Sequence, residues 1–340
     1  MRLLVSAGRW LGLLMSVFLA SAAAAEVNLY TTREPRLIEP LIDAFTAGTG
    51  IAVNTVFVQT GLAQRVSAEG RNSPADVLMT VDIGNLVDLV DAGVTQAIHS
   101  PVLEAAVPAN LRDPDGNWFT LSMRARVLYA SVDRVDLLSF TYEELADPRW
   151  KGRICIRAGQ HPYNTALIAA FIARHGAAAA ETWLAAVKDN LGRRPGGGDR
   201  DVARDILGGL CDIGIANSYY VGLMRSGAGG PEQERWGAAI DVILPTFADG
   251  GTHVNVSGAA IAKYAPNRDD AILFLEFLVS DQGQRLYGHA NFEYPVRPGA
   301  WVDPIVADFG EQLPDPLPLA DIAAYRKAAS ELVDKVGFDN

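Results

Sequence analysis

Phe119 to Val132 is strand-like along its whole length, with Arg124 and Arg126 set between apolar neighbours, and it is longer than one sheet of a small domain needs. A run of this length suits a connection passing from one domain into another. A second long apolar run, Ile240 to Pro245, supplies a route back. Around these two crossings the chain alternates strand and helix. Val27–Tyr30, Ile51–Val58 and Ala75–Thr80 read as strands, and Leu37–Thr46, Gly61–Glu69 and about Gly84–Ala92 as helices. In the first helix Leu37, Ile38, Leu41, Ile42 and Phe45 recur at helical spacing, and Pro40 falls in the first turns, where it is tolerated. Such alternation predicts parallel sheets with helices on their faces. The expected fold class is therefore α/β, in two discontinuous α/β domains joined by two crossing strands, with a cleft between them. Their bounds are expected at residues 26–125 with 247–298 and 126–246 with 299–340. A chain of this length exceeds the usual single domain, and hinged closure is the physical use of such a pair.

Residues 1–25 do not belong to that fold. Arg2 and Arg9 precede an apolar run from Trp10 to Ala20, and Ala23-Ala24-Ala25 gives the small residues of a secretory cleavage site before Glu26. The apolar run is shorter than the roughly 20 residues a membrane span requires. A signal peptide is therefore expected, with the mature chain exported, soluble and, in a double-membraned bacterium, periplasmic. No cysteine lies at the cleavage site to carry a lipid anchor. Losing Arg2 and Arg9 takes 29 basic residues to 27 against 40 acidic, a net charge of −13, which argues against nucleic acid or an anionic membrane as partner. The chain is expected to act as a monomer.

Only Cys155 and Cys211 are present, in a compartment where disulfides persist. Arg153–Arg157 and Leu210–Ile215 are both strand-like, and a tyrosine follows each cysteine within about eight residues. A Cys155–Cys211 bridge would clamp two strands so that Tyr163 and the pair Tyr219-Tyr220 emerge at one edge; the alternative is two buried thiols that merely pack. Ile213 and Ile215 suit a strand covered on both faces, and Asn217-Ser218 is a turn signal at its carboxyl end. In open α/β sheets ligands bind at that end. The tyrosine pair also fits as packing aromatics with their hydroxyls outward.

Enzyme chemistry finds little support. There is no Gly-x-Ser-x-Gly elbow, and no glycine-rich stretch follows a strand with dinucleotide or phosphate-loop spacing. His99, His161, His175, His253 and His289 are scattered without a close metal-binding spacing. Three converging phenolates would instead suit a hard, highly charged cation, ferric iron above all. A free phenol titrates near 10, so only a strongly charged ion holds three of them deprotonated at neutral pH. Remaining coordination sites would take water, a carboxylate or a small anion held by arginine.

The stretches NLYTTRE from Asn28, SPADVLMTVD (73–82), LSMRARVLYA (121–130), HPYN (161–164), ANSYYVG (216–222), GTHVNVSG (251–258) and FEYPVRPG (292–299) together resemble the periplasmic ferric-ion-binding proteins of ATP-driven iron importers. These lie within the larger class of extracellular solute-binding proteins. The resemblance covers essentially the whole mature chain. It implies a type II periplasmic binding-protein fold, Fe³⁺ as cargo, and Tyr163, Tyr219 and Tyr220 as its ligands. It also implies a synergistic anion such as carbonate, and an inner-membrane ABC permease and ATPase as partners. Where relatives often supply a histidine in the opening loop, this chain has Glu34-Pro35. The fourth ligand is then Glu34, or an anion or water held by Arg33 or Arg126, with Arg126 the expected anion holder. A receptor for a small anion or organic solute is the alternative within the same class.

Overall fold

The computed structural model describes residues 25–340, so the signal-peptide reading of residues 1–25 lies, Ala25 apart, outside the described residues. From Glu26 the chain runs β1 (Glu26–Thr31), α1 (Pro35–Thr49), β2 (Ala52–Phe57), α2 (Leu62–Glu69), β3 (Val77–Thr80) and α3 (Ile83–Asp91). β1 lies between β2 and β3 and parallel to both. Every residue of β3 is buried, as befits a strand covered on both faces. α1 begins earlier than its apolar periodicity indicates, because Pro35 takes the first helical position with its ring already set for a helix. Pro40 consequently sits inside α1, on the exposed side, while Ile38, Leu41 and Phe45 face the core.

β4 (Thr95–Gln96) and α4 (Pro101–Ala106) follow, neither of them anticipated; Ser100 Oγ caps α4 by accepting the Leu103 amide at 3.1 Å. The long strand expected over 119–132 is β5 (Phe119–Ser131), buried throughout. Beyond it come β6 (Ile154–Ile156), α5 (Pro162–His175), α6 (Ala177–Asp189), α7 (Asp199–Leu207), β7 (Ile213–Asn217), α8 (Tyr219–Arg225), α9 (Pro231–Ala238) and β8 (Ile240–Ile243). β9 (Val254–Ala262), α10 (Arg268–Leu278), α11 (Asp281–Asn291) and β10 (Tyr294–Pro295) return to the first lobe. α12 (Pro304–Ala307), α13 (Leu319–Ala323) and α14 (Arg326–Val336) close the chain. α12 packs on α8, and α14 packs on α5 and α6.

β5 belongs to both lobes. Phe119–Ala125 pairs antiparallel with β9, which also pairs with β3, whereas Arg126–Ala130 pairs with β7. The second crossing falls later than the expected 240–246. β8 pairs with β5 only from Leu128 to Ser131, inside the second lobe, and the pairing resumes at Ala125 opposite Val254. Residues 244–253 loop out between, and Phe247 stays in the second lobe with its ring 4.8 Å from Tyr142 and 6.3 Å from Phe171. The chain crosses back at His253–Val254, where the Arg126 amide donates to the His253 carbonyl at 3.0 Å.

β6 and β7 are parallel neighbours, and Cys155 and Cys211 are joined by a disulfide across 56 residues. Gly214 lies opposite Cys155, and a side chain there would collide with the Cys155 carbonyl and with Val202. In the chain-entropy account, a bridge closing a loop of this length stabilises by about 4 kcal/mol. Reduction is expected to remove about that much in denaturant titrations run with and without reductant. An unchanged midpoint would show that the bridge is not a clamp.

His253, at the crossing, is 1% exposed, and neither of its ring nitrogens has a partner among the described residues. Burial, then the charges of Arg126 and Arg124, push its imidazole down to about 3. The unfolded chain protonates this histidine below roughly pH 6.5 while the folded chain does not. Its contribution to stability is therefore complete above that pH and is lost as pH falls toward 3. A His253→Phe variant is expected to lose less stability than the parent over the same acid titration. Equal losses would mean that His253 does not carry the proton linkage.

Candidate metal centre

The strand β7 ends at Asn217, and Ser218 already has helical dihedrals, φ −57° and ψ −42°, so the chain enters α8 without an intervening loop. Tyr219 and Tyr220 thus occupy the first turn of a helix, where Asn217-Ser218 reads from sequence as a turn. Tyr163 is the second residue of α5, following Pro162 at the first helical position. The His161 ring caps that helix, its Nδ1 accepting the Tyr163 amide at 3.2 Å. Two short strands joined by the disulfide therefore deliver two helix starts to one edge. The Tyr163 and Tyr219 hydroxyls stand 3.4 Å apart, and the Tyr219 and Tyr220 rings are 4.1 Å apart.

All three tyrosines line a cavity of about 470 Å³ between the lobes, together with Arg33, Glu34, Arg124 and Arg200. Burial pushes the Tyr219 hydroxyl well above the usual phenol range, and the neighbouring Tyr163 and Tyr220 oxygens push it the same way. Burial likewise raises Tyr220, with Tyr163 and Asp199 adding to it. Ionising phenols held this close requires a concentrated positive charge among them. Among the described residues no group of three or more His, Cys, Asp or Glu is placed to hold a metal. The oxygen donors lining this cleft include the phenols and the carboxylates of Glu34 and Glu293, of which Glu293 is paired with Arg33. Glu34 is half-exposed and accepts from Arg36 Nε at 2.9 Å.

Arg126 does not line this cavity. It is 2% exposed, and its Nη1 donates to Asp199 at 2.8 Å and Asn217 at 3.1 Å, while Nη2 donates to Asn164. Asp199, fully buried, also accepts from Arg157 at 3.1 Å and from the Asn217 amide at 2.7 Å. Asn164 follows Tyr163, and Asn217 precedes the tyrosine pair, so one buried ion pair ties both tyrosine helices together. The Arg126 guanidinium lies 5.9 Å from the Tyr163 ring centre. Arg126→Ala would strand Asp199 with a single cation, and removing one partner of a buried pair costs about 3 kcal/mol or more. Stability and metal affinity are expected to fall together in that variant, with anion dependence retained. Unchanged stability with altered anion dependence would return Arg126 to the anion-holding role expected from the sequence.

Arg33 does reach the cleft, but its charge is already balanced. Its Nη2 donates to both Glu293 oxygens, at 2.9 and 3.0 Å, and also to Ser257. Burial raises the Glu293 carboxyl, but Arg33, Arg124 and a hydrogen bond from Ser122 outweigh it and hold the group below the ordinary range. Arg124 and Arg200 line the cavity with no carboxylate partner among the described residues: Arg124 donates to Ser257 at 3.3 Å and to the Val81 carbonyl, and Arg200 to Gln233 at 3.1 Å. Glu293, Arg124 and Arg200 were not singled out as site residues from sequence. For Arg124 a signal existed, since residues 124 and 126 share one face of a strand. Phe292, beside Glu293, has φ 54°, a left-handed conformation that is rare for an aromatic residue. Gly222 of α8 packs so closely on its ring that a side chain there would collide with it.

Residues 72–316 match the family described as bacterial extracellular solute-binding protein. Iron uptake protein A2 of Synechocystis is 41% identical over 323 residues, spanning 94% of this chain and 92% of that protein. A solved Bordetella ferric binding protein is 63% identical, with a TM-score of 0.90 over 93% of this chain and 100% of that one. A solved Trichodesmium protein, in complex with iron and citrate ligands, is 38% identical with a TM-score of 0.87, covering 92% of this chain and 100% of that one. Matched along most of its length in sequence and in fold, the chain belongs to the bacterial extracellular solute-binding proteins and has their type II architecture of two α/β lobes about a cleft.

Proposed function

We propose that this protein is a periplasmic receptor that captures ferric iron in the interlobe cleft and delivers it to an ABC permease and ATPase in the inner membrane. The observation that carries this reading is the convergence of Tyr163, Tyr219 and Tyr220 from two helix starts, with hydroxyls 3.4 Å apart for the first two. The named relatives, an iron uptake protein and a ferric binding protein, support the same cargo. Three phenolates balance the charge of Fe³⁺ and match its preference for hard oxygen donors. The protein works by binding, not by catalysis, and as a monomer.

Glu34, which lines the cleft, is our candidate for a further carboxylate from the opening loop. Arg124, and Arg200 beyond it, are the cations left to hold a synergistic anion such as carbonate, with Arg33 organising the wall through Glu293. We assign residues 26–125 with 254–298 to the first lobe and 126–253 with 299–340 to the second, moving the expected boundary at 246/247 to the return crossing and in keeping with the packing of α12 and α14 on second-lobe helices. Rotation about β5 and the His253–Val254 crossing would then close the cleft on its cargo. A titration of metal-free protein with ferric nitrilotriacetate tests the reading. One equivalent of iron is expected to bind and to bring up a visible phenolate-to-iron band. The arginines of the cleft also suit an anion as the cargo itself; binding of carbonate or citrate without iron, and no iron band, would replace the ferric reading with that one.

A further inference from the structure

The three tyrosines are not held alike. Tyr219 and Tyr220 follow β7 with no intervening loop, and Ser218 ties that junction to β5, its amide donating to the Ala125 carbonyl at 3.0 Å and its Oγ accepting the Ala125 amide at 3.2 Å. Tyr163 lies behind a loop. Residues 157–161 separate the end of β6 at Ile156 from Pro162, so the sheet and its disulfide alone do not set where α5 begins. After Tyr163 the chain is fixed by Asn164, which accepts from Arg126 and donates to the Arg157 and Ala158 carbonyls at 2.9 and 3.0 Å. Before it, the holder comes from far along the sequence. The Gly159 amide donates to Asp339 Oδ1 at 2.6 Å and the Gln160 amide to Asp339 Oδ2 at 3.0 Å, so one carboxylate takes two consecutive amides. The Gln160 side chain docks on α14 as well. Its Nε2 donates to the Ser330 carbonyl at 2.9 Å and to Asp334 at 2.8 Å, and its Oε1 accepts from Ser330 Oγ at 2.8 Å.

Asp339 is itself anchored. Arg194 Nε donates to its main-chain carbonyl at 2.8 Å, Lys188 Nζ donates to the Val336 carbonyl at 3.0 Å, and Phe338 is buried. A side chain at Gly159 would collide with the Phe338 ring and crowd Val333, so α14 and the residues after it pack directly on the loop backbone. We propose that Asp339 is a positioning residue for the metal centre: its carboxylate fixes the loop that sets the first turn of α5, and so the place at which the Tyr163 oxygen meets the ion beside that of Tyr219. Asp339 does not line the cleft, and it acts only through the loop. Without the carboxylate both amides turn to water, and a small tilt of the helix start is magnified at the phenol oxygen, the far end of the Tyr163 side chain. This role rests on the iron-capture reading, whereas the anchorage of the loop does not.

The test is a double-mutant cycle on iron affinity, measured by chelator competition with Asp339→Ala in the parent, in Tyr163→Phe and in Tyr219→Phe. In the parent Asp339→Ala should weaken iron about tenfold, the lower end of what losing a group that orients a metal ligand costs. The same loss should persist in Tyr219→Phe and vanish in Tyr163→Phe, where the oxygen it positions is gone. Asp339→Glu, which keeps a carboxylate, should restore most of the affinity. No loss in the parent, or an equal loss in both tyrosine backgrounds, overturns the role. In metal-free protein Asp339→Ala should also speed hydrogen exchange at the Gly159 and Gln160 amides and move the Tyr163 ring resonances. Unchanged exchange and resonances overturn the clamp whatever the iron data show. A parent that takes up no iron sinks the ferric reading alone, and the metal-free measurement then decides whether Asp339 sets Tyr163.

Discussion

Tyr219→Phe and Tyr220→Phe are each expected to lose iron affinity by on the order of a hundredfold or more, with little change in folding stability. Replacing groups that only orient metal ligands already costs 10–100-fold, and these variants remove a ligand atom itself. Phenylalanine keeps the ring contacts of the pair, whose centres are 4.1 Å apart, and each residue is only half-buried. Competition against a chelator of known ferric affinity, with denaturant melts run in parallel, separates the two quantities. Loss of affinity with retained midpoint is the expected pattern. Full affinity in both variants would make the tyrosines packing residues. Tyr163→Phe should behave alike, since its hydroxyl stands 3.4 Å from that of Tyr219.

Iron affinity should fall steeply as pH falls. In the metal-free protein burial raises Tyr219 and Tyr220, and an ordinary phenol is protonated at neutral pH, so iron must displace a proton from each phenol it binds. Three displaced protons correspond to about a thousandfold loss of affinity per pH unit at fixed free Fe³⁺ activity. Each Tyr→Phe variant should shed about one proton fewer, so the slope drops by about one decade. Proton release per iron, measured calorimetrically in buffers of different ionisation enthalpy, counts them directly. A release that is the same in the parent and all three variants would mean that the protons come from elsewhere.

The elements that position the site were legible where one local pattern dominated. Cys211 to Asn217 reads as a strand because small and β-branched residues leave no other use for it, and its neighbour Cys155 marks the partner strand. The first crossing was legible from the length of β5. The second was displaced to His253–Val254 because β8 and β9 share one side of β5, and an intervening loop is invisible to periodicity. The tyrosines sit at helix starts and not in loops because Ser218 turns directly into α8 and Pro162 opens α5, and glycine farther along masks the helical pattern. Arg126 reads as an anion holder from sequence because Asp199, with which it pairs in the structure, lies 73 residues away. Nothing local distinguishes it from Arg124, two residues earlier on the same face, which meets backbone and hydroxyl groups in place of a carboxylate.

The central claim is that iron is held by tyrosine oxygen, and resonance Raman spectroscopy of the iron-loaded protein, excited within its visible band, tests it most directly. Only vibrations of groups bonded to the metal are enhanced there. Phenolate ring and carbon–oxygen modes are expected in the parent, weaker in each single Tyr→Phe variant, and absent when Tyr163, Tyr219 and Tyr220 are all phenylalanine. Iron bound with no enhanced phenolate modes, or modes unchanged by the three substitutions, would contradict it.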